Sequence, residues 1–316
     1  MHNLIKNQLG SSEIEVTKMG YGAWALGSNS YGEVDRNIAE SCISTYLDLG
    51  GNFIDTARAY AVSEERIGEL LHRLQRRKSV VIASKSGKLE ASEIQEELET
   101  SLRNLKTDYI DLYYLHNPPE DIDKMNELLD LFEQFKREGK IRSIGASIKG
   151  PNVTQATVDL CRQYIDSGRI DAIQLIYSIF RQKNSEIFSY AKNQNVSIIA
   201  RTSLENGFLT GKYDREHQFT VGDHRNRWTI EKRDIIFKYV EELKEAVVKT
   251  PYETLTQAAL RFVYENESVT AMIPGGKSPK QIKGNMAVQQ LPELKQIVSA
   301  DTLASFAVAI NNFNIS

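Results

Sequence analysis

Asn52-Phe53-Ile54-Asp55-Thr56-Ala57 is a short apolar run that stops on a carboxylate. Thirty residues later Ile82-Ala83-Ser84-Lys85 stops on an ammonium; Tyr113-Tyr114-Leu115-His116 and a run closing on Ser147 follow at intervals of 31 and 31 residues. Runs this short, rich in β-branched and aromatic residues, read as buried strands, and about 30 residues is the length of one βα unit. Working outward gives eight expected strands: Lys18 to Ala23, Asn52 to Ile54, Val80 to Lys85, Tyr109 to His116, Ile141 to Ser147, Ala172 to Ser178, Val196 to Thr202 and Thr270 to Pro274. Helical stripes lie between them. Ile94, Leu98, Leu102 and Leu105 follow a Ser92-x-x-Gln95 pattern that predicts a capping box, and Met125, Leu128, Leu129, Phe132 and Phe135 form another apolar face.

Eight such units close into a (β/α)8 TIM barrel. A doubly wound dinucleotide-binding sheet is expected to carry G-x-G-x-x-G after its first strand, and none stands there. Ile5 to Val16, with Gly10-Ser11-Ser12 at its centre, reads as a β-hairpin closing the barrel bottom. Asn206 to Thr229 is the one long stretch without clear periodicity, which marks a functional or mobile loop. No linker or low-complexity tract divides the chain, so residues 1–316 are expected to form one domain.

Composition narrows the function. With 39 Lys and Arg against 42 Asp and Glu, the chain has no global positive field for a nucleic-acid backbone or an anionic membrane. Cys42 and Cys161 each lie in a helical stretch, in neither metal-ligand nor disulfide spacing. Met1 to Gly10 holds no apolar leader segment, and no run approaches a membrane span. A small-molecule enzyme of the cytoplasm, without a metal, is the expectation.

In a (β/α)8 barrel, chemistry gathers at the carboxyl ends of the strands. Asp55, Lys85 and His116 end adjacent strands, and Tyr60 lies one loop-turn beyond Asp55. A phenol ordinarily ionises near pH 10, so exchanging a proton with a carbonyl oxygen near neutrality asks for roughly 3 to 4 kcal/mol of preferential phenolate stabilisation. A lysine ammonium within reach supplies it, and a buried ammonium needs a counter-ion. Lys85 and Asp55 suit those two tasks, and a histidine on the next strand suits positioning of the carbonyl.

Gly51-Asn52-Phe53-Ile54-Asp55-Thr56-Ala57-Arg58-Ala59-Tyr60-Ala61-Val62-Ser63-Glu64 resembles the aldo-keto reductase signature around its aspartate and tyrosine. Ile82 to Lys85 resembles that family's lysine strand, and Asp108 to His116 its histidine strand. The resemblance runs from the N-terminal hairpin to about Asn285. It implies an NADP(H)-dependent reduction of an aldehyde or ketone, sugar-derived carbonyls included, with Tyr60 as general acid, Asp55 and Lys85 as its tuners and His116 as the orienting residue. Trp24, Tyr60, His116 and Asn117 would meet the substrate.

For the cofactor the resemblance implies Gly22, Ala23, Trp24 and Asp55 at the first strands, and Ser147 and Gln174 on the nicotinamide carboxamide. Thr202, Ser203, Leu204, Gly207 and Lys212 would follow along the pyrophosphate, and the planar Arg201 guanidinium would stack on the nicotinamide or reach the phosphates. Gly275, Lys277, Ser278, Gln281 and Asn285 would take the adenosine end, with Lys277 and Ser278 on a 2′-phosphate that favours NADPH over NADH. Four positions depart from the pattern: Ala61 stands for a usual glycine, Ile148 for an asparagine, Arg201 for an aromatic that stacks on nicotinamide, and Gly284 for an acidic contact to adenine. Two other readings use the same barrel. One is a nicotinamide-binding regulatory module without turnover, which has no need of Tyr60; the other is a Schiff-base lyase with Lys85 as nucleophile.

Overall fold

Two antiparallel strands, β1 (Lys6–Gln8) and β2 (Glu15–Thr17), precede eight parallel ones in the computed structural model, which describes residues 4–27, 31–148, 150 and 154–312. The parallel strands are β3 (Tyr21–Gly22), β4 (Phe53–Asp55), β5 (Val81–Ser86), β6 (Ile110–His116), β7 (Ile141–Ser147), β8 (Ala172–Ile176), β9 (Ser197–Arg201) and β10 (Val269–Met272). Each pairs with the next, from β3 to β10. The last returns to the start: Met272 N donates to the Lys18 carbonyl at 2.9 Å and Gly20 N to the Met272 carbonyl at 2.8 Å, which closes the (β/α)8 barrel. Every expected strand is present: β3 keeps two of its six expected residues, while β4 and β5 each run one residue beyond their expected ends.

The helices are α1 (Trp24–Gly27), α2 (Arg36–Asp48), α3 (Ser63–Arg73), α4 (Ala91–Leu105), α5 (Ile122–Arg137) and α6 (Gln155–Asp166), then α7 (Phe188–Asn193), α8 (Ile230–Val247), α9 (Leu255–Tyr264), α10 (Pro279–Ala287) and α11 (Ala300–Asn312). The apolar stripes expected on α4 and α5 are buried. The capping box expected at Ser92 is not formed: α4 already begins at Ala91, its N-cap is Glu90, and no side chain caps it. Ser92 therefore lies within the first turn, beyond the position from which a hydroxyl can reach N3. No helix among the described residues is long and apolar enough to cross a membrane.

Alternation along the strands sets both the core and the rim. Phe53, Ala83, Leu112, Tyr114, Ala172 and Ile199 share one buried cluster with Leu9, Ile14 and Val16 of the hairpin. Two residues past such positions stand Asp55, Lys85, His116, Gln174 and Arg201, so the period of two puts polar groups on the same inner face, one layer higher. The hairpin holds the opposite end. Asn7 Nδ2 donates to the Thr270 carbonyl at 2.8 Å, Ser11 Oγ to Asp171 Oδ1 at 3.1 Å, and Gly10 N to Ser197 Oγ at 2.8 Å, all at strand starts.

Leu9 is fully buried in that plug. Leu9→Ala is expected to lower unfolding stability by about 2 to 4 kcal/mol in a urea titration while leaving cofactor affinity unchanged, since the plug is a barrel's length from the rim.

Candidate active site

Lys85 and Asp55 form an ion pair with no exposed lysine surface: Nζ lies 2.6 Å from Asp55 Oδ1 and donates at 2.7 Å to the Thr56 carbonyl. The other carboxylate oxygen accepts from Gln174 Nε2 at 2.7 Å, and Gln174 Oε1 in turn accepts from Ser147 Oγ at 3.3 Å. Residues from β4, β5, β7 and β8 are thereby joined across the top of the barrel. Burial raises the Asp55 carboxyl above its ordinary range, against the pull of Lys85 and Gln174. Taking two charges out of water costs several kcal/mol each, and only attraction plus full hydrogen bonding offsets it. The pair has both.

The loop carrying Tyr60 is fastened to the top of β5: Thr56 N donates to the Ala83 carbonyl at 2.8 Å and Arg58 N to the Lys85 carbonyl at 3.1 Å. Beneath it Glu64, fully buried at the start of α3, accepts from Ser84 Oγ at 2.7 Å and is paired with Arg58. This support holds the Tyr60 ring with its centroid 5.1 Å from the Lys85 ammonium. On the other side, Gly27 lets α1 press close, because a Cβ there would stand 2.0 Å from the Tyr60 carbonyl. Trp24, on the same helix, then reaches 6.1 Å from the Tyr60 ring. Ala61 takes φ +46°, the left-handed region, which explains why a glycine is usual there and costs about 1 kcal/mol.

His116 meets the Tyr60 ring edge-on at 6.3 Å. Burial, with Lys85 and Arg201 nearby, pushes its imidazole down to about 3, so the ring is neutral across the working range. A neutral imidazole offers one N–H and one lone pair. Asn117 follows at φ +61° with an exposed side chain, on the rim.

The other anticipated residues lie along the same carboxyl face. Arg201 ends β9, and its guanidinium is tethered at 3.0 Å to the Ile148 carbonyl and 3.3 Å to Thr202 Oγ1, on the floor beside Ser147. Ile148 turns its side chain into the core and contributes only backbone. Ser203 Oγ is buried with no hydrogen-bond partner among the described residues. After β10, Ser278 caps α10 by accepting from Gln281 N at 3.3 Å, and Asn285 Nδ2 donates to the Gly275 carbonyl at 3.1 Å. Burial and the neighbouring Lys212 ammonium lower the Lys277 ammonium below its ordinary range. Beside Gly284 there is open space.

Three features of the rim leave little trace in the sequence. Tyr31 joins two rim loops: its hydroxyl donates to Asn206 Oδ1 at 2.7 Å, and its carbonyl accepts from Lys277 Nζ. Glu205 is buried on φ +47° and held by Arg181 at 2.8 Å and Ser178 at 2.5 Å. The long loop is anchored, because Phe208 packs edge-on against Phe219, Trp228 and Phe237 within 5.9 Å. Side-chain bonds between residues far apart in the chain leave no periodic trace, so only the aromatic count of the loop hinted at this.

The closed barrel thus carries a buried ion pair beside a tyrosine at its carboxyl rim. A sequence model of the Aldo/keto reductase family matches residues 18–301, and the chain belongs to that family. Among characterised and uncharacterised relatives, the "NADH-specific methylglyoxal reductase" of Escherichia coli (strain K12) is 29% identical over 89% of this chain and 92% of its own length. The "Uncharacterized oxidoreductase YqkF" of Bacillus subtilis (strain 168) is 28% identical over 89% and 90%. Among solved structures, the holo form of aldo-keto reductase AKR11C1 from Bacillus halodurans matches with a TM-score of 0.74 at 26% identity, covering 98% of this chain and 96% of that one.

Two outcomes follow from the site's energetics. Ala61→Gly is expected to raise unfolding stability by about 1 kcal/mol, read by denaturant titration. His116 binds a proton only near pH 3 when folded but near 6.5 when unfolded, so the unfolded chain holds the extra proton between those values and stability falls as pH drops. His116→Asn is expected to lose about 1 to 2 kcal/mol less than the parent between pH 7 and pH 5. Parallel pH profiles of the two proteins would contradict the buried neutral imidazole.

Proposed function

We propose that the protein, a one-domain barrel, reduces an aldehyde or ketone to its alcohol with a nicotinamide cofactor, and that Tyr60 supplies the proton. The observation that carries this reading is the Lys85 ammonium, locked by Asp55 at 2.6 Å and standing 5.1 Å from the Tyr60 ring centroid. A cation so placed favours the phenolate left after the proton departs. The ammonium is spent on Asp55 and the Thr56 carbonyl and has no exposed surface, which speaks against a nucleophilic amine attacking a substrate carbonyl.

The rim residues fit the cofactor. Ser203 presents a buried hydroxyl without a protein partner, and Lys212 and Lys277 crowd their like charges where an anion would relieve them. Ser147 and Gln174 would take a carboxamide, the Arg201 guanidinium would lie under the ring, and Thr202, Ser203, Leu204, Gly207 and Lys212 would follow the pyrophosphate. Gly275, Lys277, Ser278, Gln281 and Asn285 would hold the adenosine end, and Lys277 with Ser278 on a 2′-phosphate would favour NADPH. Bound there, the reduced nicotinamide supplies the hydride that the carbonyl carbon accepts.

The chain's own residues do the rest. The substrate carbonyl sits between Trp24, Tyr60 and His116, with Asn117 at the entrance. The neutral His116 ring fixes the carbonyl oxygen through an N–H, and the Tyr60 hydroxyl gives that oxygen its proton as charge develops there. Lys85 then steadies the phenolate until a solvent proton restores it.

Tyr60→Phe is expected to cut single-turnover NADPH oxidation with 4-nitrobenzaldehyde by a factor on the order of 10² or more, with NADPH affinity within about twofold. Near-full activity would remove Tyr60 from the chemistry. Lys277→Ala is expected to weaken NADPH about tenfold, measured by fluorescence titration, and NADH much less. Equal losses for both cofactors would remove the 2′-phosphate contact.

A further inference from the structure

Arg227 is exposed at the edge of the aromatic wall that leads to Tyr60. It ends the short turn His224–Arg227, within the loop after β9. That turn is rigidly held: Asp223 accepts from Arg225 N at 2.9 Å and from Arg225 Nε at 2.8 Å, and the Arg225 side chain is buried. The Arg227 guanidinium lies 4.1 Å over the Trp228 ring and is hydrogen-bonded to His224. Among the described residues no acidic side chain pairs with it. Partial burial lowers the Arg227 guanidinium below its ordinary range; Arg181 and Arg201 act in the same direction, and Tyr31 and the Glu205 carboxylate oppose them.

The position relative to the reacting centre follows from the rings. His224 meets Trp24 edge-on at 5.1 Å, and Trp24 lies 6.1 Å from Tyr60. Arg227, beside His224, is thus separated from the proton donor by two aromatic side chains that form one wall. The acidic groups around this wall are already taken: Asp55 by Lys85, Glu205 by Arg181 and Asp223 by Arg225. Arg201, which donates to a backbone carbonyl and a hydroxyl, and Arg227 are left with excess positive charge facing the mouth.

We propose that Arg227 receives a carboxylate carried by the substrate, so that the preferred carbonyl compound is an aldehydic or keto acid. Its C=O lies at Tyr60 and His116, and its carboxylate lies on the Arg227 guanidinium, whose planar fork matches two carboxylate oxygens. The two rings between Arg227 and Tyr60 hold the two groups apart, which excludes a 2-oxo acid whose carboxylate adjoins the carbonyl; a rigid para-substituted benzaldehyde is the shortest probe that separates them by a ring. This inference rests on the carbonyl reduction proposed above and names its substrate class.

The test compares 4-carboxybenzaldehyde with 4-nitrobenzaldehyde in the parent and in Arg227→Gln. The ratio of kcat/KM for the acid over the nitro compound is expected to fall about tenfold in the variant, through KM, with Arg227→Lys restoring part of it. An unchanged ratio would overturn the proposal, as would a comparable weakening of NADPH, which would make Arg227 a cofactor-phosphate contact. A binding measurement needs no turnover: calorimetric titration of NADP-loaded protein with 4-(hydroxymethyl)benzoate. Arg227→Gln is expected to weaken this ligand about tenfold, and equal affinity in both proteins would overturn the carboxylate assignment. Binding that depends on Arg227 without reduction of either aldehyde would instead count against the reductase reading alone.

Discussion

Everything at the rim depends on one ion pair kept out of water. Lys85 and Asp55 are both buried, and removing one partner of such a pair costs about 3 to 5 kcal/mol because the other is left uncompensated. The pair survives because the barrel closes around it. Gln174 reaches Asp55 from β8, four strands away in the sheet order, and Ser147 on β7 accompanies it. An open sheet would hold β4 and β8 apart, so the closure made by Lys18, Gly20 and Met272 is a condition for the site.

The two ends of the barrel divide the work. At the bottom, hairpin groups satisfy Thr270, Asp171 and Ser197 while Leu9, Ile14 and Val16 fill the interior. At the top the same inward positions turn polar, and apolar packing gives way to a network that must be fully satisfied. The loops above carry their own buried charges, Glu64 under the Tyr60 loop and Glu205 under the turn after β9. Among the described residues, left-handed non-glycine backbone stands on this face at Ala61, Asn117, Thr202, Glu205 and Asn206, while Gln75, Lys106 and Asn195 take it after helices at the other end.

The strands are legible because each is short and rich in β-branched or aromatic residues, and four of them close on a polar residue 30 to 31 residues after the last, the length of one βα unit. The same interval located Asp55, Lys85 and His116 on adjacent strands, and the hairpin was visible in its central Gly10-Ser11-Ser12. Ser92 misled because a capping pattern can occur one turn inside a helix that begins on a good helix former such as Ala91. Tyr31 and Glu205 are held by partners in other loops, and those contacts are visible only in the geometry. Arg201 was readable as a departure, while its tether to the Ile148 carbonyl was not.

The central claim is that the buried pair exists to serve Tyr60, beyond holding the strands together. Combining Lys85→Met with Asp55→Asn removes both charges at once and leaves no uncompensated ion in the core, so the barrel is expected to fold. The decisive measurement is single-turnover NADPH oxidation by this double variant, with cofactor affinity measured alongside. A rate at least about 10²-fold below the parent, with NADPH bound within a few fold as tightly, is the result this account predicts. A rate near the parent's would show that the ion pair is only structural and does not serve Tyr60.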